Sequence, residues 1–151
     1  MIFPNEKLFA EVTALLVDGQ TVTLRAKGNS MFPFITGDRD CVVLQQKQDL
    51  QVGDIALARL KNGRYVLHRI YRLQGENVLL MGDGNLSATE ACFKEDISGV
   101  AVKIQRNGHT IYCTSKTEQF KARLWKRLLP FRRYLLFICR LWAKLHRLHS
   151  N

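Results

Sequence analysis

The chain begins with apolar residues at helical spacing and then changes to short alternating runs. Leu8, Phe9, Val12, Leu15 and Leu16 recur three and four residues apart, which predicts one N-terminal helix. Asn5 is placed to cap it, Glu6 falls in its first turn, and Asp18-Gly19 ends it. From residue 20 the period shortens to two. Strands are predicted over residues 20–26, 40–45, 55–60 and 77–81, each bounded by turn residues. Asn62-Gly63 predicts a hairpin whose return strand carries His68 and runs toward Leu73, and Asn107-Gly108 predicts another joining 99–105 to 109–114. Short strands with frequent turns imply a mainly β fold over residues 1–115, a small, partly open barrel or sandwich with one helix in front.

From Lys116 the pattern turns helical again. Leu124, Leu128, Phe131, Leu135, Ile138, Trp142 and Leu145 are spaced three and four apart with Lys and Arg between them, and Pro130 divides the run into two helices. Charge sharpens this boundary. The chain has 151 residues and a net charge of +10. Residues 1–115 hold 13 Lys/Arg against 12 Asp/Glu, whereas residues 116–151 hold 10 against Glu118 alone. The basicity therefore belongs to a C-terminal amphipathic tail over 116–151.

Such a tail, with Phe131, Leu135, Ile138 and Trp142 on one face and Arg132, Arg133 and Arg140 beside them, has the composition of a helix lying on a membrane surface. Packing against protein is the next reading. Nucleic acid is disfavoured, because bulky apolar residues dominate one face. No window reaches the roughly 18 apolar residues of a spanning helix, and the N-terminus does not read as a secretory signal. The expected location is cytoplasmic and peripheral to a membrane, with residence in the membrane as the alternative.

Cys41, Cys92, Cys113 and Cys139 show no metal-ligand or CxxC spacing and read as structural thiols, with Cys139, beside Arg140, the one candidate for reactivity. His109, His146 and His149 read as surface residues. No spacing implies a metal or an organic cofactor.

The candidate chemistry lies elsewhere. Gly28-Asn29-Ser30-Met31-Phe32-Pro33 sets a serine in a glycine-led turn, and Leu67-His68-Arg69-Ile70 follows it at the end of an apolar run. A serine hydroxyl becomes a nucleophile only when a neighbour takes its proton, and imidazole titrates in the range that task needs. Arg69 reads as half of a structural ion pair, with Asp38 or Asp54 as its partner.

Four segments in order resemble the signal peptidase I and LexA-like serine peptidase superfamily. They are Ser30-Met31-Phe32-Pro33 with Gly37-Asp38, then Gly53-Asp54, His68-Arg69 and Gly82-Asp83-Gly84-Asn85. Histidine at the base position is similar to the endoplasmic-reticulum and archaeal signal peptidases, where it replaces the lysine of most bacterial relatives. The resemblance spans residues 20 to about 104 and implies a serine endopeptidase acting on an extended leader or signal-like segment of a peptide or protein. It implies Ser30 as nucleophile, His68 as base, Asp83 as the group that orients the imidazole, and Met31 and Phe32 as substrate-groove residues. The Ser30 amide would contribute to an oxyanion hole. The acidic stretch that follows in the family is reduced here to Ser87-Ala88-Thr89-Glu90, which speaks against a second acidic residue at the base. Two other functions stay open: a catalytically inactive peptide-binding module of the same fold, and a LexA-like autoprotease. The latter is the weaker, since no helix-turn-helix precedes Ser30.

Overall fold

The computed structural model describes residues 2–3 and 6–148, so the expected cap at Asn5 and the surface position of His149 lie outside the described residues, as does the side chain of His146. The elements run β1 (Ile2–Phe3), α1 (Glu6–Val17), β2 (Val22–Arg25), β3 (Asp40–Gln45), β4 (Ile55–Arg59), β5 (Tyr65–Gln74), β6 (Asn77–Met81) and β7 (Thr89–Phe93). A single 3₁₀ turn leads into β8 (Ile97–Arg106), followed by β9 (His109–Tyr112), α2 (Lys116–Arg127), a second 3₁₀ turn at Leu129–Phe131, and α3 (Arg132–Leu148). The expectation of a mainly β, open fold with an N-terminal helix and C-terminal helices holds.

All pairings are antiparallel and form one sheet ordered β2-β3-β8-β4-β5-β6-β7, with β1 added to β5 and β9 to β8. Two bulge-like register shifts, between Val43 and Leu44 and between Leu57 and Ala58, fall where β8 meets β3 and β4. Such shifts raise local twist and let one sheet carry core on both faces. On one face Phe9, Val12 and Leu16 of α1 pack with Met31, Ile35, Leu44, Leu57 and Leu67. On the other, Ala56, Ala58, Val66, Ile70, Val78, Leu80, Cys92 and Val100 form a second cluster. The alternation of Ala56 and Ala58 against Leu57 shows the period-two rule directly.

The segment between β2 and β3 carries Ser30 and is fixed at both ends. Met31 and Ile35 are fully buried and anchor its middle in the first core. At its far end the buried Asp40 carboxylate accepts from Arg39 (2.7 and 2.9 Å), from Arg106 (3.0 and 2.9 Å) and from the Thr36 N–H (2.8 Å). Arg106 also donates to the Phe34 carbonyl at 2.7 Å, closing the loop onto β8. Burial by itself would raise the pKa of Asp40, but the donors from Arg39, Arg106 and Thr36 outweigh it and hold it at about 2.

All four cysteines are free thiols. Burial pushes Cys92 and Cys113 up to about 11, which keeps them protonated and unreactive.

Because the Asp40 carboxyl titrates lower in the folded chain than in the unfolded one, its stabilisation is present above about pH 4 and is lost as pH falls through 2. The displacement corresponds to about 2 kcal/mol. Asp40→Asn is expected to lower stability by about that amount at neutral pH and to flatten the acid limb, as read by urea unfolding from pH 7 to pH 2.

Candidate active site

Strand β5 presents His68 and Arg69 to opposite faces, and this alternation sorts the polar residues around it. His68 shares a face with Val66 and Ile70, and Ile70 pairs across β6 with Leu80, which pairs with Glu90 on β7. Glu90 thus reaches the imidazole edge from two strands away. Its Oε2 lies 2.6 Å from His68 Nδ1, and Ser30 Oγ lies 3.0 Å from His68 Nε2. A carboxylate can only accept, so Nδ1 carries the hydrogen and donates to Glu90. Nε2 is left as the acceptor of the Ser30 hydroxyl proton. This is the tautomer that a general base requires.

The His68 ring is 3% exposed, and burial lowers its pKa below the ordinary histidine value of 6.5. Glu90 and, more weakly, Asp83 pull in the opposite direction without reversing the shift. The imidazole is therefore neutral at pH 7 and able to take a proton.

The serine turn and the 82–85 loop meet backbone to backbone. Gly84 N–H donates to the Ser30 carbonyl at 2.8 Å. A Cβ on Gly82 would press on the Ser30 carbonyl and come within 3.2 Å of His68 Nε2, and one on Gly84 would come within 2.7 Å of the Asn29 carbonyl. Only glycine lets this loop approach so closely. The two sequence motifs are thus two sides of one seam.

Several expected roles change. The carboxylate beside the imidazole is Glu90, not Asp83. Asp83 faces the other side of β5, where Arg69 Nε (2.8 and 3.1 Å) and Nη2 (2.6 Å) grip it. Arg69 therefore pairs with neither Asp38 nor Asp54; it donates its remaining Nη1 to the Gly53 carbonyl, and Asp54 pairs with Lys47 at 2.7 Å. Met31 is buried in the core and lines no groove, whereas Phe32 is half-buried next to the serine.

The C-terminal helices are built onto the rear of this seam. Trp125 of α2 donates its indole N–H to the Asp83 carbonyl at 2.9 Å and packs edge-on against Phe34 at 5.8 Å. The Arg69 guanidinium covers Phe34 at 4.9 Å, and that of Arg132 covers Trp125 at 5.3 Å. Arg132 also donates to the carbonyls of Asn85 (3.0 Å) and Trp125 (3.2 Å). The expectation that Arg132 flanks an outward-facing surface is corrected: it is 3% exposed and holds the site loop, because backbone carbonyls at the seam need donors that no strand supplies. Sequence reading missed Glu90, Trp125 and this use of Arg132. Among the described residues, no cluster of His, Cys, Asp and Glu could hold a metal ion.

The two acids are expected to fail differently. Glu90→Gln removes the charge that stabilises a protonated imidazole and lowers the rate at which a fluorophosphonate labels the site by about 10²-fold with little change in thermal stability. Asp83→Asn leaves the buried Arg69 charge unpaired and costs about 3 kcal/mol in unfolding experiments. Labelling kinetics and urea unfolding on both variants check the assignment; exchanged phenotypes would refute it.

No curated protein matches this chain. The family described as Peptidase S24-like matches residues 5–114, a segment that contains α1, the Ser30 turn, His68 and the 82–85 loop and stops just before α2. The match covers well over half of the chain, which therefore belongs to the Peptidase S24-like family and has its serine-peptidase, LexA-like fold.

Proposed function

We propose that this protein is a serine endopeptidase that cleaves an extended, leader-like segment of a peptide or protein, with Ser30 as nucleophile, His68 as general base and Glu90 as the residue that orients the base. The observation that carries this reading is the chain of contacts Ser30 Oγ to His68 Nε2 at 3.0 Å and His68 Nδ1 to Glu90 at 2.6 Å around a buried imidazole. An inactive binding module would have no use for a neutral histidine held in the one tautomer that accepts the serine proton.

In the acylation step Ser30 Oγ bonds to the scissile carbonyl carbon while its proton passes to His68 Nε2. The imidazolium so formed is stabilised by Glu90 and gives the proton to the departing amine as the peptide C–N bond breaks. Water then repeats the sequence against the acyl-enzyme and regenerates the serine. The Ser30 amide, in a turn held by Gly28 at φ 75°, is the donor we assign to the developing oxyanion. Phe32 remains the candidate for substrate contact.

An extended substrate can join the sheet by strand addition. The two ends of the strand path both lead to the site: β2 runs into the Ser30 turn, and β7 carries Glu90. Residues 1–115 are proposed as the peptidase domain and 116–151 as an accessory tail.

Ser30→Ala is expected to abolish both labelling by a fluorophosphonate and cleavage of a peptide library, with the unfolding transition unchanged. Labelling of the variant would remove Ser30 from the mechanism. The pH dependence has a definite sign. The active, folded form holds His68 neutral, while the unfolded chain protonates it near pH 6.5. Labelling rate and stability should therefore both fall as pH drops below 6.5, with the midpoint of the rate profile below that value.

A further inference from the structure

Helix α3 has one face given to the domain and another given to solvent. Arg132 and Leu136 are buried against the domain, and Leu135, expected on the outward apolar face, is instead half-buried along this side with Cys139 and Ala143. On the opposite side Tyr134, Phe137, Ile138 and Leu141 are 68%, 68%, 60% and 49% exposed, and Trp142 and Leu145 extend the same exposed stripe. Phe131 prolongs it into the preceding turn. A contiguous apolar surface with several aromatics is not what a solvated helix face normally carries.

Charge selects among partners for this surface. Arg133, Arg140 and Lys144 recur seven and four residues apart and so form a stripe along one flank of the apolar face. All three are exposed. Across residues 116–151 ten Lys/Arg face one acid, and that acid, Glu118, is paired with Lys121 at 2.7 Å. Two copies meeting through α3 would bring these like charges together. A surface that is both negatively charged and able to take up apolar side chains complements it instead. No described helix is long and apolar enough to cross a membrane, so α3 is suited to lie in the interface plane. Tyr134 and Trp142 are side chains that favour that boundary, with an apolar body and a polar handle.

We propose that α3 docks flat on an anionic lipid bilayer, inserting Tyr134, Phe137, Ile138, Leu141 and Trp142 among the acyl-chain ends while Arg133, Arg140 and Lys144 engage lipid headgroups. Because Arg132 at the start of the same helix grips the Asn85 carbonyl, and Trp125 grips that of Asp83, the peptidase site is held at a fixed distance from the bilayer. This inference stands on the tail alone and does not require Ser30 to be catalytic.

The test is cosedimentation of the full chain with phosphatidylcholine vesicles, with and without phosphatidylglycerol. Binding is expected to the anionic vesicles, to weaken with added salt, and to be marginal on the neutral ones. Each basic residue near an anionic leaflet contributes about fivefold in affinity, so the combined Arg133→Gln, Arg140→Gln, Lys144→Gln variant should bind about 100-fold more weakly. Phe137→Glu with Ile138→Glu should abolish binding. Both sets alter exposed positions, and unfolding transitions like those of the parent are expected. Equal binding to neutral and anionic vesicles, or unchanged binding by either variant, would overturn the proposal. So would absence of binding to the anionic vesicles, whether or not the chain forms a dimer that the Phe137 and Ile138 changes dissolve or binds a nucleic acid tightly instead.

Discussion

The site depends on the close approach of two backbone segments, the serine turn and the 82–85 loop. The hydrogen bond from Gly84 N–H to the Ser30 carbonyl, and the absence of a side chain at Gly82 and Gly84, let the serine sit within reach of a histidine that a different part of the sheet supplies. Nothing in the local sequence of either segment could hold this geometry by itself. Met31 and Ile35 below the turn, the Asp40 cluster at its end, and Trp125 and Arg132 behind the facing loop each remove one direction in which the seam could open.

Alternation along β5 then divides the polar chemistry into two layers. On one side His68 stands between Ser30 and Glu90 as a neutral, oriented imidazole. On the other, Arg69 and Asp83 form a compact ion pair that ties the 82–85 loop to β5 and, through the Gly53 carbonyl, to the turn before β4. Adjacent residues of one strand thus serve the proposed chemistry and the architecture separately. Placing both acids on the histidine side would have left a buried guanidinium unpaired, which costs far more than any gain in orienting the ring.

How much of this could be read from the chain follows from how local each signal is. The α1 stripe, strands β3 and β6, and the turn at Asn107-Gly108, where both residues take positive φ, are encoded within a few residues and were legible. Ser30 and His68 were legible as a pair because their motifs are distinctive. Strand β7 was not, since in Thr89-Glu90-Ala91-Cys92-Phe93 only Cys92 is buried and the apolar Ala91 and Phe93 face outward, so no apolar-in alternation marks it and it is defined by pairing with β6. Glu90 went with it. Asp83 was misplaced because face assignment across β5 needs the register of three strands. Met31 was misread because burial of the serine turn is a tertiary fact. The tail's amphipathic pattern was plain, yet the pattern could not show that Arg132 turns inward to carbonyls distant in sequence.

The proposed mechanism needs a neutral His68 whose Nδ1–H points to Glu90 and whose bare Nε2 faces Ser30. Nitrogen-resolved NMR of the His68 ring across a pH titration tests it most directly. The expected result is a single tautomer at pH 7, protonated at Nδ1, that gains its second proton at Nε2 only below pH 6.5. A ring protonated at Nε2 at neutral pH, or one doubly protonated well above that value, would contradict it.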